Sequence, residues 1–179
     1  VVVGGSLAKG LVVRLDSGQS VEDLAVGRYV VIYGERLRFF CMLTDVELNS
    51  ANPSIQNDPP DISDPFMRDV YSGTAAYGTI HVAPMLVIGE DNKPRPVKTI
   101  PGHFVSVYDA SETDVNDVFG AEDATHFNVG SPLELEHTQI NLDLKRLAER
   151  SVGVFGKSGT GKSFLTRVLL AGVISRGQA

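Results

Sequence analysis

Cysteine occurs once in this chain of 179 residues, at Cys41 in the apolar run "RFFCMLTDV". A disulfide framework within the chain is therefore excluded, and the lone thiol reads as a small buried hydrophobe. No stretch reaches the ~20 apolar residues of a membrane span, and no basic-then-apolar segment marks a secretory signal, so a cytoplasmic location without a membrane partner is expected. Methionine is missing from the start, "VVVGGS", as in a processed or cut-out piece. Basic residues are in the minority: 16 lysines and arginines face 22 aspartates and glutamates, for a formal charge of -6. That balance offers no general attraction to nucleic acid or to an anionic membrane.

Other chemistries are missing as well. His81, His103, His126 and His137 stand in separate segments without the close spacing of a zinc site. Ser158, Ser163 and Thr166 lack the nucleophile-elbow context of a hydrolase triad. Basic residues do not alternate with aromatics as in a single-strand groove, and "GERLRF" (34–39) and "DLKRLAER" (143–150) read as solvated faces. No period of about twenty to fifty residues recurs.

What is present is an ordinary globular composition, 42% apolar and 21% charged, enough for one good core or two small ones. The first half is rich in strand patterns. "GLVVRLD" (10–16) runs into an "SGQS" turn signal, and "GRYVVIYGERLRFFCMLTDVEL" (27–48) reads as two strands hinged at Gly34. "AAYGTIHVAPMLVIG" (75–89) is a third strand region, and "HFVSVYDA" (103–110) alternates like a half-buried strand. Short strands with turns between them predict a small β-barrel over residues 1–110. "NSANPSIQNDPPDISDP" (49–65) is read as a mobile loop inserted in that barrel, because Pro53, Pro59, Pro60 and Pro65 oppose regular pairing and only Ile55 and Ile62 offer much to a core.

After residue 110 the pattern changes. "SETDVNDVFG" (111–120) predicts a short helix with Ser111 as cap, Asp114 completing a capping box and Gly120 closing it. "THFNVGSPLELEHTQINLDL" predicts a hairpin about its Gly-Ser-Pro turn, and "DLKRLAERS" a helical stretch bearing Leu144, Leu147 and Ala148. A short strand, "SVGVFG", leads into Gly156-Lys157-Ser158-Gly159-Thr160-Gly161-Lys162-Ser163, which fits the phosphate-loop pattern G-x-x-x-x-G-K-[ST] at every fixed position. Chance alone would give such a match in a chain of this length on the order of one time in a hundred. "KSFLTRVLLAGVISR" then predicts a helix with Phe164, Leu165, Val168, Leu169 and Ile174 on a broad apolar face and Gly177 as its cap.

The chemistry explains the spacing. Glycines at 156, 159 and 161 let the backbone pass close to phosphates, and successive N–H groups line an anion site at the helix start. Lys162 would reach the β- and γ-phosphates, and the Ser163 hydroxyl would ligate magnesium. The candidate ATP-binding residues are thus Gly156 through Ser163 together with Phe164, with Ser163 as the Mg2+ ligand. No catalytic residue is identifiable, since turnover also needs a magnesium-holding acid on a second strand and an arginine. The expected fold class is accordingly mixed: a β-barrel over 1–110, then, over 111–179, the start of a truncated RecA-like ATPase domain.

The order of parts, with "PGHFV", "HFNVG" and "NLDLKRLAERSVGVFGKSGTGKS", resembles the HerA-like ATPases with their N-terminal HAS-type barrel. The likeness is diffuse over 1–110 and more specific over 124–179. It implies a homo-oligomeric, hexameric ring motor that translocates double-stranded DNA, with a nuclease partner, and it gives the barrel a part in assembly and docking. The family's magnesium-binding acid, trans-acting arginine and pore loops have no counterparts here. Two alternatives stand beside it: a rotary or secretion-type ATPase, and a β-barrel interaction module with a vestigial phosphate loop.

Overall fold

The computed structural model describes residues 1–179 apart from 60, 62, 72–74, 133–137 and 177–179. The chain forms two compact units, 1–110 and 111–179. In the first unit β1 (Val2–Ser6), β2 (Gly10–Arg14), β3 (Tyr29–Tyr33) and β4 (Arg38–Ser50) precede two short helices, α1 (Pro53–Asn57) and α2 (Pro65–Tyr71). β5 (Ala76–Ile88), β6 (Pro94–Pro96) and β7 (Val107–Asp109) complete it. All pairings are antiparallel, in the order β1-β2-β5-β4-β3-β7, with β6 on the far end of β5.

Period-two alternation builds the core. Leu11 and Val13, Val30 and Ile32, Phe39, Cys41 and Leu43, and Ile80 and Val82 are buried residues spaced two apart on their strands. Register stacks them across the sheet: Leu11 and Leu43 both pair Val82, Cys41 pairs Val30, and Phe39 pairs Ile32. A one-residue slip would turn this whole set to the opposite face, so burial itself fixes the register. The long β4–β5 ladder shifts register between Phe40 and Cys41 and again between Leu43 and Asp45. Each shift bends the strands, and Pro84, which cannot donate to a ladder, stands beside the first of them.

The bent sheet is not a closed barrel, contrary to the expectation for residues 1–110. Its end strands, β1 and β7, share no ladder. Two backbone bonds tie β1 to the chain just before β7, Val2 N–H to the Val105 carbonyl at 2.9 Å and Phe104 N–H to the Val2 carbonyl at 2.7 Å. Phe104 has φ +63°, a left-handed conformation foreign to strands and unusual for a bulky side chain. The strand expected over 103–110 therefore shrinks to the three residues of β7, too few to seal the sheet.

The insertion 49–65 is also more regular than expected. β4 runs through Ser50, and Pro53 sits in the first turn of α1, where its missing N–H costs nothing. The Asn52 side chain accepts the Ser54 N–H at 2.9 Å, and the Asp64 carboxylate accepts the Phe66 N–H at 2.9 Å beside Pro65, the first residue of α2. Pro53 and Pro65 thus start helices. Pro60 and Ile62 lie outside the described residues.

The second unit begins with α3 (Glu112–Phe119), which carries the expected capping box: Ser111 Oγ accepts the Asp114 N–H while the Asp114 carboxylate accepts the Ser111 N–H. Gly120 closes it at φ +77°. β8 (His126–Gly130) and β9 (Ile140–Asp143) form the expected antiparallel hairpin, though much of its connection, 133–137 with His137, lies outside the described residues. α4 (Leu144–Ala148) and α5 (Lys162–Ser175) follow. α5 approaches β8 and α4 closely at Gly172, where an added Cβ would stand 2.7 Å from the Phe127 ring and 3.0 Å from Leu144. Gly177, the expected cap of α5, is outside the described residues. The single apolar face expected for α5 is divided: Val168 and Leu169 are half-buried, whereas Phe164 and Ile174 are exposed.

Candidate functional site

A strand exists only by pairing, and residues 151–157 have no strand partner among the described residues. The strand expected from "SVGVFG" is therefore absent. Phe155 is 91% exposed, and its ring lies back over Gly153, within 2.5 Å of where a Cβ would sit. This irregular approach delivers the chain to Gly156, where the loop begins.

The three loop glycines are required for different reasons. Gly159 and Gly161 have φ +83° and +81°, left-handed conformations that side chains resist, although an added Cβ at either would meet nothing within 4 Å. Conformation alone calls for glycine there. At Gly156 the constraint is room, because a Cβ would stand 2.8 Å from the Thr160 hydroxyl.

Between these glycines the loop folds on the Lys157 carbonyl. Thr160 donates to it twice, from Oγ1 at 2.8 Å and from its backbone N–H at 3.4 Å, and the Lys162 ammonium donates to the same oxygen. Gly161 is the N-cap of α5 and offers no side-chain cap. The helix's first internal bond runs from the Leu165 N–H to the Gly161 carbonyl at 2.9 Å. The N–H groups of Lys162, Ser163 and Phe164 thus stand at an uncapped helix start, where orphan donors and the positive end of the helix dipole favour an anion. Ser163 is exposed, while Thr166 turns its hydroxyl back to the Lys162 carbonyl at 2.9 Å.

The loop therefore presents backbone donors, one ammonium and one free-standing hydroxyl on a short arc. That donor set suits the tail of a nucleoside triphosphate. It also suits a magnesium ion held by a single protein hydroxyl and otherwise by phosphate oxygens and water, the usual manner of this cation. Among the described residues no group of three or more histidine, cysteine, aspartate or glutamate side chains is placed to hold a metal.

Elsewhere the three described histidines serve local structure, His137 lying outside the described residues. His81 lies 3.3 Å from the Glu47 carboxylate, and the His103 ring sits against that of Phe104. His126 Nδ1 is 3.0 Å from Asp123. The Asp123 carboxyl is held well below the usual carboxylate range, first by the His126 backbone N–H and then by that of Thr125. This turn sets the entry to β8, and the sequence reading gave it no weight; its signal is the Asp-x-Thr-His order, which lets one carboxylate gather successive N–H groups. Thr160 stands among the candidate ATP-binding residues, but the part its hydroxyl plays inside the loop was not legible, since the phosphate-loop pattern leaves position 160 unspecified.

No helix among the described residues is long and apolar enough to cross a membrane. No curated protein matches the chain. Residues 127–179, from β8 through the phosphate loop and α5, match the family model described as the central domain of helicase HerA. That segment, less than half of the chain, is similar to this domain, and the likeness suggests an ATPase motor of that family.

Proposed function

We propose that residues 156–163 bind the phosphates of Mg-ATP and that the chain supplies the phosphate loop of a ring-forming, HerA-type motor acting on double-stranded DNA. The observation that carries this reading is the loop itself: two left-handed glycines, an uncapped helix start and a lysine ammonium converge on one arc. In this reading Lys162 leaves the Lys157 carbonyl for the β- and γ-phosphate oxygens, and the N–H groups at the start of α5 hold the phosphate tail. Ser163 would hold magnesium, which neutralises phosphate charge when bound.

Residues 111–179 are assigned to the ATPase domain, and residues 1–110 to ring assembly and partner docking. The net charge of -6 favours placing the DNA contacts on other residues. Calorimetry with Mg-ATP tests the central claim. The wild-type protein is expected to bind and the Lys162→Ala variant to lose detectable binding, and in a longer form that turns ATP over the same substitution should abolish turnover; a wild type without nucleotide affinity overturns the reading. For the finer assignment, rings by mass photometry are the expected result, together with ATP turnover stimulated by duplex DNA in a longer form that supplies the acid, the arginine and the DNA contacts.

A further inference from the structure

We propose that Thr160 is a positioning residue of the phosphate loop: its hydroxyl pins the Lys157 carbonyl, and that carbonyl holds the Lys162 ammonium ready for an incoming phosphate chain. The inference rests on the reading of 156–163 as a phosphate loop and adds a role for a side chain that the motif leaves open.

Three donors meet at one acceptor. The Thr160 hydroxyl reaches the Lys157 carbonyl at 2.8 Å, its backbone N–H reaches it at 3.4 Å, and the Lys162 ammonium completes the set. A carbonyl oxygen has two lone pairs, so the three compete. The backbone contact is long and weak, and the hydroxyl is held by a β-branched side chain with few rotamers. The lysine sits at the end of a flexible stem and is the donor able to depart.

Gly156 belongs to the same device. An added Cβ there would lie 2.8 Å from Thr160 Oγ1, so the missing side chain leaves the space in which the hydroxyl stands. With the hydroxyl in place, the 157–160 turn is closed before any ligand arrives, and the ammonium waits one short swing from the phosphate site. Without it the turn rests on the 3.4 Å contact, and nucleotide binding must order the loop as well as fill it.

This predicts an effect on affinity and not on the chemical step, because Thr160 touches no reacting atom. Thr160→Val keeps the shape and removes the donor, whereas Thr160→Ser keeps the donor. Calorimetry with Mg-ATP should show the valine variant binding about five-fold more weakly than wild type, roughly the worth of one neutral hydrogen bond. The serine variant should stay within about two-fold of wild type on the same basis. In steady-state turnover of a longer form that supplies the magnesium-binding acid and the arginine, valine should raise KM and leave kcat nearly unchanged.

Thr160 lies in an exposed loop, so the fold does not depend on it, and matching thermal melts verify this. Valine binding as tightly as wild type, or serine weakening as much as valine, overturns the role of the hydroxyl while the phosphate-loop reading stands. Absence of binding by the wild type overturns both.

Discussion

Leu43 on β4 and Ile174 on α5 are isomeric side chains with the same apolar content, yet Leu43 is 0% exposed and Ile174 is 72% exposed. The difference lies in the elements that carry them. β4 alternates across the core, so Phe39, Cys41 and Leu43 enter one cluster. α5 is apolar nearly all round: Gly172 is buried against β8 and α4, while Leu170 and Ile174 turn elsewhere and remain exposed. A helix with one apolar stripe needs one cover, and a helix apolar on several sides needs more than one. In the first unit the alternating strands bury their inward set, although Leu48, Phe66 and Phe104 stay exposed; within the described residues of the second, the apolar run of α5 calls for more cover than is present.

Three substitutions sharpen this contrast. Leu43→Ala should cost most, about 3 kcal/mol, through lost burial and a cavity that the ladder to β5 on one side and the backbone bonds to Gly27 and Arg28 on the other prevent from collapsing. Urea unfolding followed by circular dichroism checks it, and a loss of under about 1 kcal/mol would show that the sheet is loosely packed. Gly172→Val should cost about 1–3 kcal/mol, because even a Cβ collides with Phe127 and Leu144. Should that variant melt at the wild-type temperature, the close approach of α5 to β8 is wrong. Ile174→Ala should have the smallest effect, within about 0.5 kcal/mol, alanine's better helix propensity offsetting the little burial lost. A cost like that of Leu43→Ala would mean that α5 is covered on this side in solution, erasing the contrast.

Features written in short-range chemistry were legible in the sequence. The turn between β3 and β4 at Gly34, the Ser111–Asp114 capping box and the glycine-lysine pattern of 156–163 each depend on neighbours a few residues apart. The open sheet was not legible, because closure turns on Phe104 at φ +63°, a conformation that no local pattern announces. Pro53 and Pro65 read as breakers until the structure put them at helix starts, where the same missing N–H is harmless. The approach 151–156 read as a strand on its apolar residues, but pairing is a property of two segments. For α5 the composition was right and the face was not, since a helix apolar on several sides has no periodicity to select one.

The Cys41 thiol sits at 0% exposure in the first unit, and burial pushes its pKa up to about 12. At neutral pH it is therefore both shielded and protonated, while alkylating reagents require an accessible thiolate. Labelling of this sulfur counts the moments when the sheet comes apart, so the chain carries its own stopwatch for opening events that calorimetry averages away.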